Sequence, residues 1–308
     1  MSVDISIIIP LYNKEKFIER TLKSVAAQDI ADWECIIVDD GSSDSSVEIV
    51  NNFIKANPGN WNLISQENSG QTSARNHGVK QANGKYLAFL DADDLWPSSK
   101  LRLQLRAFEK NPEATLVLSA FAIFKDHISP PRVVRHKNPN RMNKRWLLMS
   151  GFGGGLESVG MVRRGVLLGE ELFDPSLSTS SGLDLSLRLA ERGKTILLPD
   201  IGLYYRINAG QWHADSNELG RNLDILCKRY KNRFSQDLAR SHSAYLFWIS
   251  ARAHGTKYLL LSLFQALLTP WNRRLSILIN LIWRNIASAR LGKSMSKETL
   301  TAINLLDS

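Results

Sequence analysis

The sequence predicts an α/β fold, a mostly parallel sheet flanked by helices, followed by a helical C-terminal region. Three observations predict it. Apolar runs rich in Ile and Val recur at residues 5–9, 34–38 and 86–90, with a weaker one at 61–65. Between them apolar and small residues fall at helical spacing: Phe17, Thr21, Leu22 and Val25; then Val47, Val50 and Ile54; then Ala74, Gly78, Val79 and Ala82. Strands that alternate with helices, in continuous apolar runs, make a parallel sheet covered on both faces. From about Asp215 the pattern is helical to the end, broken once at Pro270.

The remaining elements follow in order. Ser45 with Glu48 three residues on fits a capping box for the second helix. A further helix is predicted over 98–110, closing before Pro112, and a strand over 115–124. Residues 125–145 are basic, hold three of the ten prolines and read as a loop or linker. Gly153-Gly154-Gly155 is a backbone-permissive turn. A short helix over 184–192 ends at Gly193, and two short strands are predicted over 195–198 and 203–206. The organisation is a domain over 1–212 and a basic helical region over 213–308.

The chain of 308 residues, 44% hydrophobic and 22% charged, has an ordinary globular composition, which excludes a disordered chain. A chain this long buries a core without staples. Its two cysteines, Cys35 and Cys227, lie far apart and offer neither zinc spacing nor a disulfide framework. Cys35 sits in an apolar run as a buried strand thiol, and a reducing compartment suits it. Residues 4–10 read as a strand rather than a signal peptide. No apolar stretch reaches the roughly 20 residues a membrane span needs.

The net charge of +9 is uneven. Residues 1–110 carry 12 Lys and Arg against 15 Asp and Glu, whereas residues 221–308 carry 14 against 4. Two apolar blocks, 258–268 and 275–283, have Trp271, Arg273, Arg274, Trp283 and Arg284 at their edges. Such blocks suit helices lying in a membrane interface, attracted by anionic headgroups. Packing of these helices on the rest of the chain or on another subunit is the alternative. No recognition motif accompanies the charge, so nucleic acid is not an expected partner. The expected location is cytoplasmic, peripheral at the inner face of the cytoplasmic membrane.

Four polar clusters each follow a predicted strand or open the helix after one: Pro10-Leu11-Tyr12-Asn13, Asp39-Asp40-Gly41-Ser42, Ala74-Arg75-Asn76 and Asp91-Ala92-Asp93-Asp94. The C-terminal ends of parallel strands share one edge of the sheet, where ligands bind. Asp91 and Asp93 place two carboxylates at a strand mouth, and alternation puts residues i and i+2 on one side. Two hard oxygen ligands, with room for water and phosphate oxygens, suit Mg²⁺ or Mn²⁺. Asp40 could accept hydrogen bonds from a base or ribose, and Arg75 could pair with phosphate. Each cluster alone reads equally as a turn, a helix cap or an acidic loop. Their occurrence in order is the informative fact.

Together these segments resemble the family 2 glycosyltransferases of GT-A fold, over roughly residues 3–210. The resemblance implies an inverting transferase that uses a nucleotide-diphosphate sugar, UDP-linked, and a divalent cation, Mn²⁺ or Mg²⁺. It implies that Pro10, Leu11 and Tyr12 border the nucleoside, that Asp40 binds a uracil-type base and that Arg75 lies near the nucleotide. Asp91, Ala92 and Asp93 match the family's Asp-x-Asp, with Asp91 and Asp93 the metal residues and Asp93 the direct contact. The acceptor would be a glycan or lipid-linked hydroxyl in cell-envelope synthesis.

One departure stands out. The family's general base is an aspartate after a glutamate, and those two positions are Ser181 and Gly182 here. Asp184 matches a second acid of the same motif and is the catalytic candidate by default. Its other reading is charge stabilisation at a helix N-terminus. Asp174 resembles a common family acid without a catalytic role. Two rivals follow: a non-catalytic homologue that binds nucleotide-sugar or a partner, kept by Gly182, and a nucleotidyltransferase. The second would need a Gly-rich phosphate loop after the first strand, where the chain reads Leu11-Tyr12-Asn13-Lys14-Glu15.

Overall fold

A computed structural model describes residues 3–125, 132–134, 156–167, 172–177 and 180–207, together with positions 222, 225, 226 and 229. The first strands and helices alternate as predicted: β1 (Ile5–Leu11), α1 (Ile18–Ala26), β2 (Trp33–Asp39), α2 (Ser46–Ala56), β3 (Trp61–Ser65), α3 (Gln71–Gln81) and β4 (Tyr86–Phe89). Then come α4 (Lys100–Lys110), β5 (Ala114–Lys125), β6 (Arg132–Val134), a single helical turn α5 (Leu156–Val159), β7 (Gly160–Arg163), α6 (Ser181–Arg192) and β8 (Lys194–Ile207).

The eight strands among the described residues belong to one sheet, in the order β3-β2-β1-β4-β7-β5-β6, with β8 paired to β5. The first four strands are mutually parallel, and β8 runs parallel to β5. Strand β7 is antiparallel to both β4 and β5, so it joins two parallel halves. All seven residues of β1 are buried, because helices cover both faces of this central strand. The chain leaves β1 toward β2 and β3, then returns to β4 on the other side of β1. This reversal opens a crevice beyond the carboxyl ends of β1 and β4, the place where open α/β sheets bind ligands.

Helix α3 lies close against that central part of the sheet. A Cβ added at Gly78 would come within 2.6 Å of Ile8 Cγ2, so only glycine permits this approach. The closeness fixes the N-terminal turn of α3, with Gln71 and Arg75, over the crevice.

Several expectations need correction. Ser45 is the N-cap of α2 but makes no side-chain cap bond, so the capping box does not form. Nearby acids take the donors instead: Glu15 Oε2 accepts from Ser45 N at 3.1 Å and Asp44 Oδ1 from Ser46 N at 3.0 Å. The two short strands at 195–198 and 203–206 are one strand, β8. Shifts of register against Ser119, Ala120 and Phe121 absorb the interruption at Pro199 and Asp200 as a bulge. The helices begin at Lys100 rather than Ser98 and at Ser181 rather than Asp184. Part of the segment read as a linker forms β6 on β5. Gly153-Gly154-Gly155 lies outside the described residues.

The C-terminal region lies outside the described residues except at four helical positions. Asn222 and Leu226 are buried, and Ile225 packs against the hydrophobic core. No helix among the described residues is long and apolar enough to cross a membrane.

Candidate active site

The site forms where the segments after β1, β2, β3 and β4 meet. Asp91 to Asp94 form a tight turn, closed by the Asp94 N–H to the Asp91 carbonyl at 3.0 Å. The alternation expected of a strand therefore does not apply to this pair. Asp91 and Asp93 are aimed instead by their partners. Asp91 Oδ1 accepts from Arg75 Nη2 at 2.6 Å and from Gln71 Nε2 at 2.9 Å, both on α3. Asp93 Oδ2 accepts from Lys14 Nζ at 2.6 Å, just past β1. Ser158 Oγ on α5 accepts the backbone N–H of Asp91 at 3.1 Å.

Asp40 ties the third segment in. Its Oδ1 accepts from Gln66 Nε2 and from Ser69 N, and its Oδ2 from Gly70 N, each at 2.8 Å. A carboxylate offers about four acceptor positions, so three are engaged in shaping the loop that leads into α3. Gly70 has φ of 88°, a left-handed turn that lets this loop run straight into the helix.

The end of β1 places Pro10 and Leu11 in the buried sheet. Tyr12, the next residue, is the exposed large hydrophobic among the described residues, 48% accessible. Asn13, at φ of 50°, turns the chain and accepts from Ser43 N at 2.8 Å. An aromatic face open at the rim of a crevice is a platform for a planar ring.

Arg75 is buried and bridges two carboxylates: Asp91, and Glu157 Oε1 at 3.2 Å. Its neighbour Asn76 clamps the backbone of Phe173 in both directions, donating at 2.7 Å and accepting at 3.0 Å. Asp94 is wholly buried. Its Oδ1 accepts from Arg206 N at 2.9 Å, while its Oδ2 has no hydrogen-bond partner. Burial, and then the charges of Asp93 and Asp91, push its carboxyl well above the usual range despite Arg206. Burial and the same carboxylates, with Glu157, raise the Tyr205 phenol on β8.

Asp184 lies on α6 and is held by arginines rather than by residues of the Asp91–Asp93 turn. Its side chain is 1% exposed, and Arg188 Nε meets its Oδ2 at 2.8 Å while Arg229 Nη1 meets its Oδ1 at 2.7 Å. Arg229 also pairs with Asp174. Burial raises the Asp174 carboxyl, but hydrogen bonds from Arg229 and Ser176 outweigh it and hold it low.

The sequence reading missed Lys14, Gln71, Glu157, Ser158, Tyr205 and Arg206. The last two sit on β8, beyond any motif near the turn. Two of the missed residues carried a signal in the sequence: Lys14 directly follows the Tyr12-Asn13 segment, and Gln71 lies in the polar run 68–76 that holds Arg75.

The residues at the turn fit a divalent cation. Two hard carboxylate donors separated by one residue match a cation that keeps most of its shell for water and phosphate oxygens. Behind them the buried Asp94 Oδ2 has no hydrogen-bond partner. Among the described residues no group of three or more His, Cys, Asp or Glu encloses a metal. A cation there would be shared with its ligand rather than caged by protein.

Comparisons with known proteins bear on this geometry. Residues 6–163, about half of the chain, match the family described as Glycosyl transferase family 2. A putative teichuronic acid biosynthesis glycosyltransferase, TuaG of Bacillus subtilis, is 43% identical over 101 residues, 33% of this chain and 40% of that protein. The UDP-Glc:alpha-D-GlcNAc-diphosphoundecaprenol beta-1,3-glucosyltransferase WfgD of Escherichia coli is 38% identical over 111 residues, 35% of this chain and 42% of that one. The matches therefore span well under half the length of these relatives. Among solved structures, S. aureus TarS in complex with UDP-GlcNAc superposes with a TM-score of 0.65 at 18% identity, covering 93% of this chain and 81% of that one. A mannosyltransferase from Pyrobaculum calidifontis, bound to GDP-Man and Mn²⁺, gives 0.58 at 18% identity, covering 93% and 88%. The fold is that of the GT-A glycosyltransferases.

Proposed function

The chain belongs to glycosyl transferase family 2, and from that premise we propose that it transfers a sugar from a UDP-sugar to a hydroxyl of a cell-envelope glycan, with inversion at the anomeric carbon. The observation that carries the proposal is the Asp91–Asp93 turn, held by Arg75 and Lys14 at the crevice between β1 and β4. The names of TuaG and WfgD favour envelope polysaccharide, and WfgD favours a glycan carried on a polyprenyl diphosphate. UDP is favoured by WfgD and by the UDP-GlcNAc complex of TarS.

In this reading Tyr12 stacks on the uracil, Pro10 and Leu11 wall the nucleoside, and Asp40 uses its remaining acceptor position toward the base. Asp91 and Asp93, with Ala92 between them, would hold Mn²⁺ or Mg²⁺. When bound, the cation supplies positive charge to the departing diphosphate. Lys14, released from Asp93, turns to the phosphates. Arg75 keeps Asp91 oriented from its buried position. Asp184 is engaged through both oxygens, a geometry that favours anchoring α6 over accepting a proton.

We place the boundary between transferase domain and basic C-terminal region near residue 212, with that region at an anionic membrane surface on the cytoplasmic face. A second reading, a homologue that binds nucleotide-sugar without transfer, is favoured by one observation, the glycine at 182. The test is release of UDP from UDP-glucose and UDP-GlcNAc with Mn²⁺, beside calorimetric UDP binding. Metal-dependent release, lost in Asp93→Ala, supports the transferase. UDP binding with no release, in the presence of a polyprenyl-diphosphate-linked acceptor, supports the second reading. Undiminished Mn²⁺-dependent UDP binding by Asp93→Ala would show that the site is misassigned.

A further inference from the structure

An inverting displacement needs a group to take the acceptor's proton as its oxygen attacks. Three carboxylates beyond Asp91 and Asp93 come into question. Asp94 is wholly buried behind the turn, and Asp184 is gripped by two arginines. The third is Glu157, whose side chain retains 9% exposure beside Arg75.

Glu157 stands in an unusual place. A Cβ built on Gly182 would lie 2.3 Å from Glu157 Oε1, 2.4 Å from its Cδ and 2.6 Å from its Oε2. The carboxylate of α5 therefore fills the volume into which a side chain at 182 would project. Arg75 Nη1 donates to Oε1 at 3.2 Å, and the nearby Gly182 backbone favours the charged form. Arg75 in turn holds Asp91, so Glu157 is one guanidinium away from the turn.

We propose that Glu157 is the general base of this chain, supplying from α5 the carboxylate absent at Gly182. The inference rests on the transferase reading above. In the step, the acceptor oxygen bonds to the anomeric carbon while its proton passes to a Glu157 carboxylate oxygen. The bond from that carbon to the diphosphate oxygen breaks, and UDP leaves with the electron pair. The charged and titratable groups facing Glu157 are Arg75 on α3, Asp91 on the turn and Tyr205 on β8. Burial raises the Glu157 carboxyl, Arg75 opposes this and Asp91 adds to it, and a raised carboxyl is a stronger proton acceptor.

The experiment measures UDP release from UDP-GlcNAc with Mn²⁺ across pH, beside calorimetric UDP binding, for four proteins: the parent, Glu157→Gln, Glu157→Ala and Glu157→Ala/Gly182→Asp. Gln keeps an acceptor for Arg75, so the fold and UDP affinity are expected to hold. The rate falls roughly 100-fold or more, and the acidic limb of the pH profile disappears. The paired variant, with its carboxylate returned to 182 and the clash removed, regains at least about tenfold over Glu157→Ala, part of that 100-fold or larger loss. A merely structural Glu157 predicts no such rescue. Glu157→Gln within a few-fold of the parent overturns the proposal, as does a paired variant that binds UDP but gains nothing. If Glu157→Gln fails to fold, the comparison of Glu157→Ala with the paired variant decides alone. Absence of release by the parent itself, from UDP-glucose and from UDP-GlcNAc with a polyprenyl-diphosphate-linked acceptor present, sinks the transferase reading, a different outcome from loss confined to the Glu157 variants.

Discussion

Lys14 Nζ and Asp93 Oδ2 stand 2.6 Å apart, joining the segment after β1 to the turn after β4 across the crevice. The lysine is 25% exposed and the aspartate 8%, so water screens the pair only in part. A cation arriving at Asp93 must displace this ammonium. Lys14→Met is therefore expected to tighten Mn²⁺ binding to the nucleotide-free protein, by about 1 kcal/mol or roughly fivefold. Titration of Mn²⁺ followed by its electron spin resonance signal measures this. Unchanged or weaker binding would separate Asp93 from the cation.

Asp94 sets a pH dependence of stability. Its folded carboxyl lies well above the ordinary 3.8, chiefly through burial. The unfolded chain releases this proton near the ordinary value, whereas the folded chain keeps it to higher pH. Between the two the native state binds more protons, so stability falls as pH rises. Asp94→Asn keeps an acceptor for the Arg206 N–H and has no proton to lose. Its stability relative to the parent should grow in urea unfolding as pH rises from about 4, the unfolded value, toward the raised folded one. A constant difference across that range would mean that Asp94 titrates alike in both states.

Asp184 can be separated from the chemistry by one variant. Asp184→Asn leaves a single buried oxygen for two guanidinium groups that themselves reach water, Arg188 at 18% and Arg229 at 36% exposure. We expect a loss of about 2 kcal/mol in urea unfolding, with UDP release by the folded fraction within a few-fold of the parent. Release abolished at unchanged stability would instead make Asp184 the proton acceptor.

The basic C-terminal region predicts a salt-sensitive association. Residues 221–308 carry 14 Lys and Arg against 4 Asp and Glu. The protein should sediment with phosphatidylglycerol vesicles at low ionic strength and be released as salt rises. Removing residues after about 255 should abolish the effect. Failure to sediment at low salt would show that the region does not meet a membrane.

The half of the fold around β1, β2 and β4 was legible because buried parallel strands write themselves as unbroken apolar runs. Their polar ends then announced the edge where Asp40, Asp91 and Asp93 gather. What the sequence hid was whatever depended on distant partners. Glu157 meets Arg75 across 82 residues, Lys14 meets Asp93 across 79, and Arg206 meets the Asp93 carbonyl across 113. No local spacing encodes such pairs. β7, four residues long and antiparallel, carries too few residues to show a period. Pro199 read as a strand break, but a bulge accommodates it. The capping box failed for a related reason, since Glu15 from a separate segment competed for the same donors.

The clasp of Arg206 on Asp93 and Asp94 has a consequence for biosynthesis. Its Nε donates to the Asp93 carbonyl at 2.8 Å, and its backbone N–H donates to Asp94. On a ribosome adding about 5–20 residues per second, Arg206 emerges roughly 6–23 s after Asp93. Through that interval the nascent chain holds a cluster of acids without its strongest fixed counter-charge from β8. The N-terminal strands can assemble early, but the acidic turn acquires its final shape only as β8 docks on β5, so the crevice is the last part of the domain to mature.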